Sequence, residues 1–107
     1  MAGTWPVVLI HSNDEPIGHA LRFVLQMEKV CAQLCPDATA LRDSPGLLQA
    51  HCLVLLYHPP VVDGCELSCV ARRKGALAPA ILLVDAATPR VKAQAAATGI
   101  WRYWRSR

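Results

Sequence analysis

Three short apolar runs restrict most strongly what this chain can fold into. Residues 7–10, 53–57 and 76–84 consist almost entirely of Val, Ile, Leu and Ala and contain no charged residue. Each run is far shorter than the roughly 20 residues that a membrane-spanning helix needs. Apolar runs of strand length are typical of strands that are buried on both faces of a parallel sheet. The runs therefore predict a parallel sheet and no membrane anchor.

Segments with helical periodicity lie between these runs. Residues 17–27 place apolar side chains three or four positions apart, and Pro16 suits the first turn of a helix. Asp43, followed by Ser and Pro, predicts the start of a short second helix. Thr88 predicts the start of an alanine-rich helix that ends at Gly99. The apolar positions of the first helix are Ile17, Leu21, Val24, Leu25 and Met27.

Strands and helices alternate along the whole chain, with two further strands predicted near residues 30–34 and 100–104. This alternation predicts an α/β protein with a doubly wound, five-stranded parallel sheet in three layers. A chain of 107 residues has room for one domain, so we expect residues 1–107 to form a single unit.

Composition limits the functional classes. The chain is 53% hydrophobic and 18% charged, which excludes a disordered protein. A net charge of +3 is weak for a dedicated nucleic-acid binder, although residues 101–107 interleave aromatic and basic side chains. The amino terminus shows no secretory signal, so we expect a cytoplasmic protein. We expect its five cysteines to be mostly buried thiols and not disulfides.

Four segments together resemble the receiver domain of two-component response regulators. They are residues 8–16, 53–64, 81–86 and 99–106, and the spacing of Pro60, Gly64 and Tyr103 is the most specific part of the match. The resemblance implies a flavodoxin-like strand order, 2-1-3-4-5. It also implies a fifth helix after the last strand, which we expect to be missing or truncated here.

The resemblance locates the phosphoacceptor aspartate of the family on Leu56. That position lies four residues before Pro60 and eight before Gly64. An alkyl side chain cannot attack a phosphoryl group, so this position predicts a domain that does not accept phosphate. A shift of one residue would place Tyr57 or His58 there, but it would break the match at both Pro60 and Gly64.

The other reactive positions of the family have also changed. Its Mg²⁺-binding acidic pair corresponds to Asn13 and Asp14, its hydroxyl to Val84 and its lysine to Ser106. A neutral amide beside one carboxylate is a poor site for Mg²⁺, so we expect weak or absent Mg²⁺ binding and no other cofactor. Tyr103, the aromatic residue whose rotamer reports the active state in the family, is retained.

We therefore expect a pseudo-receiver that works in a phosphorelay by protein contact and is not an enzyme. Its predicted partner is a histidine kinase, a response regulator or a second copy of itself, and we do not expect it to bind nucleic acid. Without a fifth helix, Leu21 and Leu25 would be exposed to water beside the last strand. The predicted partner surface includes Tyr103, Trp101 and Trp104.

A second hypothesis belongs to a different class. His11, Asp14 and His58 all follow predicted strands, and the carboxyl ends of parallel strands meet at one edge of a sheet. These side chains could form a small metal- or ligand-binding module. Solvated histidines and a helix-capping aspartate are the simpler interpretation of the same residues.

Overall fold

The computed structural model describes residues 5–12, 15–57, 63–84, 88–97 and 100–105, with backbone only for Tyr57 and 101–105. The strands are β1 (Val7–His11), β2 (Cys31–Cys35), β3 (Cys52–Tyr57), β4 (Ala80–Val84) and β5 (Ile100–Arg105). The helices are α1 (Glu15–Met27), α2 (Ala38–Arg42), α3 (Gly64–Arg73) and α4 (Pro89–Ala97).

The five strands are parallel and lie in the order β2-β1-β3-β4-β5. This arrangement confirms the predicted fold class and strand order. Leu9 of β1 and Leu53 and Leu55 of β3, two of the three inner strands, are fully buried. Their burial explains the apolar runs, because a strand covered by helices on both faces has no side that contacts water.

Successive residues of each strand face opposite layers. Val8 and Ile10 lie on one face of the sheet, where Leu21 and Leu25 of α1 pack against their cluster. Leu9 lies on the other face, in a cluster with buried residues of the remaining helices. Those residues are Leu41 of α2, Cys65, Leu67 and Ala71 of α3, and Val91 and Ala95 of α4. Among the described helices, α1 therefore covers one face and α2, α3 and α4 cover the other.

The exposed apolar residues of α1 differ from those expected. Leu21 and Leu25 are partly buried against the sheet, so the prediction that they would be left in water is wrong. Phe23, Val24 and Met27 are instead 64%, 56% and 68% exposed. At about 100° per residue, Phe23 and Met27 lie on the side of the helix opposite Leu21 and Leu25, and Val24 lies between the two sides. The helical spacing was correct, but only some of the apolar positions belong to the core.

The second helix begins earlier than predicted. Asp37 caps α2 by accepting a hydrogen bond from the Ala40 backbone N–H at 2.7 Å, and Asp43 ends that helix. Residues after the predicted cap at Asp43 form only a short 3₁₀ turn, Leu47–Gln49. Asp37 directly follows Pro36 after β2, and aspartate is as strongly favoured as a helix N-cap at this position as at Asp43.

The starts of α3 and α4 follow their capping residues. Asp63 accepts hydrogen bonds from the backbone N–H groups of Cys65 at 3.0 Å and Glu66 at 3.2 Å. Thr88 accepts one from Val91 at 3.2 Å, which confirms the predicted start of α4. The predicted end of α4 at Gly99 lies outside the described residues.

Among the described residues, no helix combines the length and the apolar character needed to cross a bilayer.

Candidate functional site

Three strands end close together at one edge of the sheet, which we call the carboxyl edge. β1 ends at His11, β3 at Tyr57 and β4 at Val84. His11 is in register with Leu55, and Tyr57 is in register with Val84. The candidate site lies at this edge. The candidate residues Asn13, Asp14, His58 and Ser106 lie outside the described residues.

Leu56 is the next-to-last residue of β3 and is 9% exposed. It is in register with Leu83 of β4 and belongs to the main hydrophobic cluster. Its side chain is buried among apolar groups and has no atom that can accept a phosphoryl group. Tyr57, the residue one position further along, occupies the last position of the strand, and only its backbone is described.

Val84 provides no hydroxyl at the end of β4 and is 1% exposed. Of the side chains described at the ends of β1, β3 and β4, none has a carboxylate oxygen, because His11, Leu56 and Val84 occupy these positions. Mg²⁺ prefers carboxylate and other oxygen ligands. These described residues therefore do not fit a Mg²⁺ ion.

His11 is buried at the carboxyl edge, where a solvated histidine was the simpler expectation. His11 is 4% exposed, and its Nδ1 has no hydrogen-bond partner among the described residues. Burial lowers the pKa of His11 from its ordinary value, while the nearby charge of Asp37 acts in the opposite direction. The expectation of a solvated histidine is thus wrong, and His11 favours the neutral form.

The cysteines are free thiols, and Cys35 and Cys65 are buried. Cys35 is in register with His11 on the neighbouring strand, and burial raises the pKa of its thiol. A raised pKa keeps the thiol protonated and unreactive at neutral pH. Among the described residues, no group of three or more His, Cys, Asp or Glu side chains is arranged to hold a metal ion.

The start of α3 lies directly against the end of β3. A β-carbon added to Gly64 would lie 2.8 Å from the carbonyl oxygen of Leu56 and 2.5 Å from Cδ1 of Leu82. Both distances are shorter than real β-carbon contacts, so only glycine fits here without a shift. Together with the two hydrogen bonds to Asp63, this contact fixes where α3 begins beside the carboxyl edge.

No protein-family model and no curated protein sequence matches this chain. Solved structures do match it. The chemotaxis protein CheY4 of Vibrio cholerae has a TM-score of 0.87 and 16% identity, over 96% of this chain and 88% of that chain. The receiver domain of the Francisella response regulator 1452 has a TM-score of 0.82 and 18% identity, over 94% of this chain and 84% of that chain. A response regulator receiver protein from Burkholderia phymatum has a TM-score of 0.76 and 23% identity, over 94% of this chain and 82% of that chain.

The fold is that of response-regulator receiver domains. The resemblance seen in the sequence is thereby confirmed at the level of the fold. Within this receiver fold, the carboxyl edge contains Leu56, Val84 and a buried His11 in the described part.

The predicted partner surface lies on the last strand of the receiver fold. The backbone of β5 pairs with β4, with Tyr103 in register with Leu82 and Trp104 with Leu83. Trp101 lies at the register shift between Ala80 and Ile81. These positions place the surface at the edge of the sheet, beside α4. The side chains of Trp101, Tyr103 and Trp104 lie outside the description, so their role stays a prediction.

Proposed function

We propose that this chain is a signalling domain with the receiver fold that does not accept phosphate and acts in a phosphorelay through protein contact. The main support is Leu56, which corresponds to the acceptor position of the family and is 9% exposed in the apolar core. Phosphoryl transfer needs an accessible nucleophile at that position. Val84, in place of a hydroxyl residue, agrees with the same proposal.

The proposed mechanism is competition or scaffolding. A domain with a receiver-like surface can occupy the binding site for a receiver on a histidine kinase or a response regulator, or bind a second copy of itself, without any chemical step. The proposed surface consists of α1, with its exposed Phe23, Val24 and Met27, and the flank formed by α4 and β5. Exposed apolar groups that lie together on a surface are typical of protein interfaces. We place this activity in the cytoplasm.

Incubation with acetyl phosphate and Mg²⁺, followed by intact-mass spectrometry, tests whether the chain accepts phosphate. We expect no phosphoryl adduct on this chain, while a receiver that has the acceptor aspartate gains one under the same conditions. An adduct that is lost in the Tyr57→Phe variant would assign the acceptor to Tyr57. Any adduct, on Tyr57 or elsewhere, would overturn the proposal that the domain only recognises its partners.

The unpartnered Nδ1 of His11 favours a second candidate function, a small metal-binding module. Such a site would need Asp14 and His58 as further ligands, because imidazole and carboxylate groups are the ligands that zinc prefers. Metal analysis of protein purified without a histidine tag tests this candidate. Stoichiometric zinc that is lost in the His58→Ala variant would support the metal-binding function, and metal-free protein would contradict it.

A further inference from the structure

A groove of about 410 Å³ lies far from the carboxyl edge. Its lining comes from the last residue of α2, from the segment between α2 and β3, and from Lys74, which caps the carboxyl end of α3. Helices in a parallel α/β fold run antiparallel to the strands, so the carboxyl ends of α2 and α3 meet at the opposite edge of the sheet. We call this opening the amino-edge groove. Its lining includes Arg42, Asp43, Leu47, Leu48 and Lys74.

One wall of the amino-edge groove is apolar. Leu47 is 2% exposed and fixes the segment in the core, whereas Leu48 next to it is 65% exposed. Leu48 lies close to Gly75, whose φ of +100° turns the chain directly after α3. A large aliphatic side chain that projects from an anchored turn presents apolar surface at little cost in conformational entropy on binding.

The other wall is charged and has a net positive charge. Arg42 donates to the Asp43 carboxylate through Nε at 3.2 Å and through Nη2 at 3.4 Å. A hydrogen bond from Arg42, and the charges of Arg42 and Lys74, lower the pKa of Asp43. Two cations thus face one carboxylate, which leaves one positive charge in the groove. Arg72 and Arg73 in the last turn of α3 add positive charge nearby.

We propose that the amino-edge groove binds an acidic peptide segment of a protein partner, with an apolar side chain of that segment against Leu48 and its carboxylates near Arg42 and Lys74. The net positive charge of the groove favours an acidic occupant. The volume lies in the range of about 300 to 1,000 Å³ that is typical of binding clefts. This interaction is independent of phosphotransfer and of the surface on α1, α4 and β5.

Selection from a displayed library of random peptides tests the proposal. We expect the enriched peptides to have a net negative charge and at least one large apolar residue. Their binding to the purified chain should weaken about tenfold for Leu48→Ser, a loss of about 1.4 kcal/mol. It should weaken by at least that factor for Lys74→Glu, because the charge reversal replaces an attraction with a repulsion. Binding should also weaken as salt rises from about 50 mM to about 500 mM, because the charges are exposed.

Two matched variants control for charge and for surface polarity. Lys29→Glu makes the same charge reversal at an exposed position between α1 and β2, and Leu77→Ser removes an exposed apolar group outside the groove. Neither should change peptide affinity. The proposal is overturned if no peptide is enriched, if the enriched peptides are basic or neutral, or if they bind Lys74→Glu and Leu48→Ser as tightly as the original chain. A phosphate adduct in the acetyl phosphate experiment would leave it unaffected.

Discussion

Gly64 and Leu56 lie so close that a β-carbon on the glycine would stand 2.8 Å from the leucine carbonyl oxygen. The backbone of β3 therefore forms part of the surface on which α3 begins. The Asp63 cap fixes the direction of the first turn of α3. The missing side chain at Gly64 allows that turn to approach the sheet closely. This contact fixes the position of the strand end at which Leu56 lies.

Replacement of Gly64 by alanine is expected to lower the free energy of unfolding by about 1–3 kcal/mol, because backbone and core atoms must move. Urea unfolding followed by circular dichroism measures this change. Gly18→Ala is the control. A β-carbon added to Gly18 would lie 2.8 Å from Cδ1 of Leu34, which is the tip of a side chain that can rotate away. Alanine also favours the helix over glycine by about 1 kcal/mol. Equal losses in the two variants would contradict the close approach at Gly64.

Restoring a carboxylate at Leu56 should destabilise the fold. Leu56→Asp removes a buried leucine and places a charge in the apolar cluster, so we expect a loss of at least about 2 kcal/mol in urea unfolding. Leu77→Asp is the matched control, because Leu77 is 92% exposed and should change stability by less than about 0.5 kcal/mol. A Leu56→Asp variant as stable as the original chain would show that the side chain is not buried.

His11 should make stability depend on pH. Burial lowers its folded-state pKa below the ordinary value of 6.5, so the unfolded chain binds a proton more readily. The contribution of neutral His11 is fully present above about pH 6.5 and is lost as the pH falls toward the folded-state pKa. Urea unfolding at about pH 7.5 and about pH 5 measures this dependence.

His11→Leu removes both the titration and the unpartnered Nδ1, so its stability should fall less between the two pH values. Leu55→Ala, at the position in register with His11, provides the comparison. It should lose about 2–5 kcal/mol and keep the original pH dependence, because leucine carries no titratable group. A His11→Leu variant with unchanged pH dependence would assign the effect to other groups.

The Asp63 cap is expected to contribute about 1 kcal/mol. Asp63→Ala leaves the N–H groups of Cys65 and Glu66 without their acceptor, so the free energy of unfolding should fall by that amount. Asp63→Asn keeps a side-chain oxygen at the same place and should lose much less. If alanine and asparagine have the same effect, the hydrogen bonds do not account for the stability of this helix start.

Local patterns were enough to predict most of the architecture. Apolar runs of strand length predicted β1, β3 and β4, and capping chemistry predicted the start of α4. The same approach failed for α2, because Asp37 and Asp43 are both acceptable caps and only packing selects between them. Leu41 is fully buried in α2, and this burial stabilises the earlier helix.

The sequence by itself determined the alternation of strands and helices, the receiver-like order and the lack of a carboxylate at Leu56, because these depend on residue type and short spacing. Only the tertiary structure decided which apolar residues are buried, since burial depends on the direction in which each helix faces the sheet. It buried His11 while leaving Phe23 and Met27 in water. It also placed Leu48 and Lys74 in one groove, although they lie far apart in the chain, and no local sequence pattern predicts that contact.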